Sequence, residues 1–121
     1  MPRILLVDDD SALRDITRRR VEKRGFEVVI AENGAEGIEK AKAEKPDLIL
    51  MDMTMPVMDG FEAIRRLKAD DETKAIPVIA MTAMAMSEER EQILACGAND
   101  YESKPINLAQ LVEKIHQLLG G

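Results

Sequence analysis

The chain has 121 residues and a formal net charge of -6, from 17 Lys and Arg against 23 Asp and Glu. This length suits one domain with a buried core, and we expect residues 1–121 to form a single domain without a separate output domain. The negative charge argues against direct nucleic-acid binding and against an anionic-membrane surface, because both need clustered Lys and Arg.

Short apolar segments predict the strands of a sheet. The segments are almost continuously apolar, which is typical of parallel strands with helices on both faces of the sheet. They span 3–7, 27–31, 48–51 and 78–81, with a weaker one near 100–103.

Helical periodicity separates these strands. Helices are predicted over 11–24 and 35–44, and three more follow Asp59, start at Ser87 and follow Asn107. Asp59 and Asn107 are the expected N-caps of the third and the last helix.

The first helix carries clear signals in its sequence. Asp10 or Ser11 can cap its N-terminus, and the two alternatives remain open at this level. Leu13, Ile16 and Val21 recur at helical spacing and predict its buried face.

Strands that alternate with helices predict a right-handed, doubly wound α/β fold. We expect the flavodoxin-like (βα)5 form, with five parallel strands in the order 2-1-3-4-5.

Polar residues stand where the predicted strands end. Asp8 and Asp9 follow the first strand, Asp52 the third, Thr82 the fourth and Lys104 the fifth. In a parallel sheet these ends meet at one edge, where open α/β folds bind their ligands. The sequence therefore predicts one pocket with three carboxylates, a hydroxyl and an ammonium.

Such a pocket calls for a cation. Two carboxylates about 4 Å apart repel by several kcal/mol at intermediate dielectric, unless a positive charge offsets them. Neither His nor Cys adjoins Asp8, Asp9 or Asp52 in the sequence, so hard oxygen ligands predominate. We expect Mg²⁺, with Mn²⁺ able to substitute.

The remaining groups favour phosphoryl chemistry. Lys104 can meet the negative charge of a phosphoryl group, and Thr82 can donate a hydrogen bond to it. Asp52 is the expected nucleophile, because a carboxylate can attack phosphorus and form an acyl phosphate. Asp8 and Asp9 are better placed to hold the metal, and Asp10 to cap a helix.

Four segments, taken together, resemble the receiver domain of two-component response regulators. They read ILLVDDD, LILMDMTMPVMDGFEAI, IPVIAMTAMA and GANDYESKP, and the resemblance covers essentially the whole chain. It is similar to single-domain chemotaxis-type and cell-cycle-type regulators, and an excised receiver of a hybrid kinase is the alternative arrangement. It implies that Asp52 accepts phosphate from a histidine kinase or a histidine phosphotransfer protein.

The resemblance also implies a metal site. Asp9 would bind Mg²⁺ directly, Asp8 would assist largely through water, and Asp52 and the backbone carbonyl of Thr54 would complete the protein ligands.

The same resemblance implies a switch. Thr82 would move towards the phosphate, Tyr101 would turn inward to fill the vacated space, and Lys104 would contact the phosphate. The Lys104–Pro105 peptide bond would be cis. The readout surface would be formed by the fourth helix, the fifth strand and the fifth helix.

Two other functions compete. A haloacid-dehalogenase-type phosphatase also uses an Asp nucleophile and Mg²⁺, but it normally places that Asp after an early strand and needs a longer chain. The second alternative is a receiver-like binding module that has lost phosphorylation. Every residue of the predicted pocket is present, so the sequence does not support this alternative. We expect self-phosphorylation and self-dephosphorylation rather than an enzyme acting on other substrates.

Partners and compartment follow from these expectations. We expect a downstream protein target, no direct nucleic-acid contact, and a monomer or a phosphorylation-dependent dimer. Cys96 is the single cysteine, so no disulfide forms within the chain, which fits the cytoplasm. The longest apolar stretch, 76–86, is well short of the roughly 20 residues that span a bilayer.

Overall fold

The computed structural model describes residues 1–53, 60–83 and 87–120. In chain order the elements are β1 (Arg3–Val7), α1 (Ser11–Lys23), β2 (Glu27–Ala31), α2 (Gly34–Glu44), β3 (Leu48–Asp52), α3 (Gly60–Ala69), β4 (Val78–Thr82), α4 (Ser87–Ala95), β5 (Asp100–Ser103) and α5 (Leu108–Leu118).

The five strands form one sheet in the order β2-β1-β3-β4-β5, and each neighbouring pair is parallel. The predicted fold class and strand order are therefore confirmed. The strands β3 and β4 run one residue further than predicted and include Asp52 and Thr82 as their last residues. These two side chains are thus fixed by the strand itself rather than by the loop that follows.

The core has two layers, one on each face of the sheet. Along β1, Leu5 and Val7 face the layer that α2, α3 and α4 cover, whereas Ile4 and Leu6 face the layer that α1 and α5 cover. Successive residues of a strand point to opposite faces. Burial on both faces explains why the central strands are continuously apolar in sequence.

Side-chain caps define three of the described helix starts, at Asp10, Asn33 and Asn107. Asp10 rather than Ser11 caps α1, because its Oδ1 accepts from the backbone N–H of Ala12 at 3.0 Å and of Leu13 at 3.1 Å. As predicted, Asn107 caps α5. Asp59, the predicted cap of α3, lies outside the described residues.

The predicted buried face of α1 is partly wrong. Val21 is buried, but Leu13 and Ile16 are 47% and 46% exposed. The buried residues of α1 are Arg14 and Val21, so the helix is rotated relative to the expected face. Among the described residues, no helix combines the length and apolarity needed to cross a membrane.

Candidate functional site

The carboxyl edge of the sheet gathers the predicted polar residues. Asp8 directly follows β1, Asp52 ends β3, Thr82 ends β4 and Lys104 directly follows β5. The side chains of Asp8, Asp52 and Thr82 are buried, with 2% to 3% of each residue exposed. Such residues are seldom buried without a compensating partner, so this edge is a candidate site.

The acidic cluster has a shape that suits a small hard cation. Asp8, Asp9 and Asp52 each offer one carboxylate oxygen, and these oxygens all lie within 4.8 Å of one another. Asp9 is exposed whereas the other two are buried, so a bound ion would keep contact with solvent. Oxygen donors with room for water match the preference of Mg²⁺. Thr54, the fourth predicted ligand, lies outside the described residues.

The electrostatics of Asp8 show why a cation would be favourable. Burial raises the pKa of Asp8, and the neighbouring charge of Asp52 raises this pKa further. The backbone N–H of Asp10, which donates to Asp8 Oδ1 at 2.9 Å, and the ammonium of Lys104 act in the opposite direction. The net raised pKa means that the protein around Asp8 undercompensates its charge.

Lys104 faces the acids from the other side of the pocket. Its Nζ donates a hydrogen bond of 2.8 Å to Asp52 Oδ1. Its backbone N–H donates to the Thr82 carbonyl at 2.7 Å, which ties the ends of β4 and β5 together. The Lys104–Pro105 peptide bond is cis. The ammonium of Lys104 therefore pairs with one member of the three-carboxylate cluster.

Gly60 allows α3 to begin directly against the main chain of β3. A Cβ atom placed on Gly60 would lie 2.6 Å from the backbone oxygen of Asp52 and 2.7 Å from Met53 Cα. These positions are backbone, so a side chain at residue 60 would force the end of β3 to move. In the sequence Gly60 appears only as part of a turn before a helix, and nothing there reveals this contact.

Arg14 also belongs to the site, although its residue type did not mark it as a candidate in the sequence. Its guanidinium is buried, with Nη1 donating to the Asp8 carbonyl at 2.8 Å and Nη2 lying 3.8 Å from Glu32 Oε1. It thereby fixes the backbone that carries the acids. The available signal was its spacing of seven residues from Val21, which places both on one helix face.

Tyr101 lies on β5, the edge strand, and pairs with Ala80 of β4. The residue is half-buried, and it packs against the core layer under α2, α3 and α4. Arg90 Cζ lies 5.5 Å and Lys114 Nζ 5.1 Å from the centroid of its ring. The ring is therefore within cation–π range of one cation from α4 and one from α5.

A cleft of about 520 Å³ adjoins the pocket, between α1 and the segment after β5. The exposed Leu13 and Ile16 line it together with Asp8, Lys104 and Ile106. The site is thus open towards an apolar surface of α1.

Comparisons with known proteins agree with this geometry. The family model described as the response regulator receiver domain matches residues 4–116. The chain is 41% identical over 121 residues to protein PilH of Pseudomonas aeruginosa, with 100% of both chains covered. It is 40% identical to the polar-differentiation response regulator DivK of Brucella anthropi, with 99% of this chain and 98% of DivK covered.

A solved structure is also similar. It is the receiver domain of the sensor histidine kinase PA1611 from Pseudomonas aeruginosa, which contains a magnesium ion coordinated in its active-site cleft. The two chains share 32% identity with a TM-score of 0.91, over 99% of this chain and 98% of the other.

Proposed function

Because the chain belongs to the response regulator receiver domain family of two-component signalling, we propose that it is a phosphoacceptor switch in which Asp52 takes a phosphoryl group from a phosphohistidine. The observation that carries the proposal is the position of Asp52. It is buried, hydrogen-bonded to Lys104, and within reach of a second and a third carboxylate that together could hold a cation.

In the proposed transfer, one carboxylate oxygen of Asp52 attacks the phosphorus. The P–N bond to the donor imidazole breaks, its electron pair stays on the nitrogen, and the product on Asp52 is an acyl phosphate. Lys104 lies 2.8 Å from Asp52 Oδ1 and would pass to a phosphoryl oxygen as that group arrives. Thr82, one strand further along the same edge, would donate its hydroxyl to another phosphoryl oxygen.

The residues present fit Mg²⁺ as the cation. Asp8, Asp9 and Asp52 would hold it, and Mn²⁺ could replace it. When bound, it would supply positive charge that offsets the phosphoryl oxygens during transfer. The magnesium in the similar receiver structure supports this assignment. Arg14 would keep the Asp8 backbone in place throughout.

The signal would leave the pocket through Thr82 and Tyr101. Movement of Thr82 towards the phosphoryl group would open space for the Tyr101 ring, and the surface of α4, β5 and α5 would change with it. The donor would be a histidine kinase or a histidine phosphotransfer protein, and the reader of the surface a downstream protein.

Catalysis would be confined to the protein's own phosphorylation and dephosphorylation. The proposed setting is the cytoplasm, where a phosphohistidine donor and Mg²⁺ are both available. The reaction therefore forms one acyl phosphate per chain rather than turning over a pool of substrate.

Incubation with acetyl phosphate and Mg²⁺, followed by intact-mass measurement, tests the proposal. We expect the wild type to gain one phosphoryl group and Asp52→Asn to gain none. The matched control is Asp71→Asn, because the side chain of Asp71 is 91% exposed and lies away from the carboxyl edge. This control should label as the wild type does.

Two outcomes would overturn the proposal. Undiminished labelling of Asp52→Asn would show that another residue accepts the phosphoryl group. Sustained hydrolysis of a phosphate ester such as p-nitrophenyl phosphate would instead show a phosphatase.

A further inference from the structure

The tyrosine on β5 is held by cations from two different helices. Arg90 of α4 and Lys114 of α5 both lie within 5.5 Å of the centroid of the Tyr101 ring. Both distances are inside the range of about 6 Å over which a cation is attracted to an aromatic face. The ring therefore connects the helices on either side of the sheet edge.

Lys114 does more than approach the ring. Its ammonium donates a hydrogen bond to the backbone carbonyl of Tyr101. It also lies 2.9 Å from Glu102 Oε2 and 4.0 Å from Asp100 Oδ1. One ammonium thus contacts three consecutive residues of β5.

Glu102 fixes the position of Lys114. The side chain of Glu102 is 3% exposed, and within the described part of the chain its Oε2 has no hydrogen bond of regular geometry. The ion pair with Lys114 is then what compensates this buried charge, and buried charges are costly when they lose their partner. If Lys114 moved away, the carboxylate of Glu102 would stay buried without its ion-pair partner, which is unfavourable.

The edge position of β5 makes the arrangement possible. Neighbouring residues of a strand point to opposite faces, so Tyr101 and Glu102 lie on different sides of the sheet. Since β5 is the last strand of the sheet, Lys114 can reach around its open edge. It contacts the ring on one side and the carboxylate on the other.

We propose that Lys114, assisted by Arg90, is a positioning residue that holds Tyr101 at the outer edge and so sets how readily the switch turns. The proposal rests on the proposed function, in which Tyr101 turns inward on phosphorylation. Arg90 is exposed and the Lys114 side chain is 26% exposed, so these cations lie on the solvent side of the half-buried ring. An inward turn has to break both contacts.

Lys40 provides a matched control at the opposite edge of the sheet. Its Nζ donates to the Ile30 carbonyl on β2 at 2.6 Å and pairs with Glu36 at 3.2 Å. It is thus another lysine bound to an edge-strand carbonyl and a glutamate, but it lies against the other edge strand, far from Tyr101. Lys40→Met removes the same kind of contacts without touching the ring.

The composition supplies the measurement. The chain has one Tyr and no Trp, so its tyrosine fluorescence reports on Tyr101 alone. The variants are Lys114→Met, Lys114→Arg, Arg90→Met and Lys40→Met. Each is measured for acrylamide quenching without any phosphoryl group, and then titrated with beryllofluoride, a phosphoryl analogue, in the presence of Mg²⁺.

We expect Lys114→Met and Arg90→Met to lower the acrylamide quenching of the unligated protein, because the ring spends more time turned inward. The beryllofluoride midpoint should fall about threefold in Arg90→Met, which loses one cation–π contact. It should fall about fivefold to tenfold in Lys114→Met, which also loses the hydrogen bond to the strand. Lys114→Arg should restore both values, and Lys40→Met should change neither.

A different pattern would overturn the proposal. If Lys114→Met is less stable but keeps the quenching and the midpoint of the wild type, Lys114 is only structural. If Lys114→Met does not fold, the double variant Glu102→Gln with Lys114→Met is used instead, because it removes the unpaired charge. Wild-type quenching and a wild-type beryllofluoride midpoint in this double variant and in Arg90→Met would also overturn the proposal.

Failure of the proposed function would look different. If the fluorescence of the wild type does not change on titration with beryllofluoride and Mg²⁺, the proposed phosphoacceptor function is wrong. The quenching comparison needs no phosphoryl group, so it would still decide whether Lys114 and Arg90 position the ring.

Discussion

Among the described residues, a cluster of acids lies beside a basic residue at each end of the parallel sheet. At the amino end, Arg3 pairs with Glu27 at 3.3 Å and with Glu44 at 3.4 Å, and its backbone N–H donates to Asp47 at 2.7 Å. The paired side chains of this group are 36% to 48% exposed.

At the carboxyl end, Asp8, Asp9 and Asp52 lie together, and Lys104 makes an ion pair of 2.8 Å with Asp52, whose side chain is 3% exposed. Exposed ion pairs contribute about 0 to 1 kcal/mol each, whereas undercompensated buried charges cost several kcal/mol. Both groups are rich in acids, and burial is what distinguishes the exposed group at the amino end from the candidate site at the carboxyl end.

The largest expected effect comes from Lys104→Met. This change removes the ammonium that would stabilise the phosphoryl oxygens, and loss of one such donor typically slows a reaction about 100-fold to 1,000-fold. The rate of labelling by acetyl phosphate measures it, with circular dichroism to confirm that the variant is folded. If the carboxyl end were merely structural, the variant would unfold or would label at the wild-type rate.

The next effect is on stability, in Asp8→Asn. The pKa of Asp8 is raised above its ordinary value of 3.8, chiefly by burial, so its charged form is disfavoured in the folded protein. We expect the variant to be about 1 to 2 kcal/mol more stable to urea at neutral pH without Mg²⁺. The amide oxygen can still accept from the Asp10 N–H, so the loop should stay in place.

This gain should depend on pH and on Mg²⁺. The cost of the Asp8 charge is fully present above its raised pKa and disappears below 3.8, where both states are protonated. The advantage of the variant should therefore shrink as the pH falls through that interval. Added Mg²⁺ should stabilise the wild type more than the variant. A variant that is less stable than the wild type at neutral pH would contradict the assignment.

The smallest effect is expected at the amino end, in Arg3→Met. Its side chain makes exposed pairs, and the bond from its backbone N–H to Asp47 survives the substitution. We expect a loss of at most about 1 kcal/mol in the free energy of unfolding, with more of it at low salt. Labelling of Asp52 should be unchanged. If the effect of Arg3→Met on the free energy of unfolding depended on Mg²⁺ as strongly as the effect of Asp8→Asn does, the comparison between the two ends would fail.

Much of the carboxyl end could be predicted because the position of a strand end follows from where its apolar segment stops. This rule locates Asp8, Asp52 and Thr82, whereas Lys104 follows the weaker and more polar segment at 100–103; the parallel order brings all four together.

The parts that could not be predicted depend on how helices are rotated and on how closely they approach. Leu13 and Arg14 are adjacent in sequence, and only packing against the sheet decides that the charged one is buried. The contact between Gly60 and the Asp52 carbonyl, and the pair of Glu102 with Lys114, arise between separate elements. No local pattern in the sequence encodes such distances.

The lysines at the two edges of the sheet have a consequence for behaviour in concentrated solution. The Ile30 carbonyl on β2 is bound by Lys40, and the Tyr101 carbonyl on β5 is bound by Lys114. An edge strand with unpaired backbone groups is a template on which a strand of another molecule can add, and a charged side chain placed there opposes this. Each of the two edge strands, β2 and β5, thus carries a lysine that opposes edge-to-edge aggregation. This holds for either position of the Tyr101 ring.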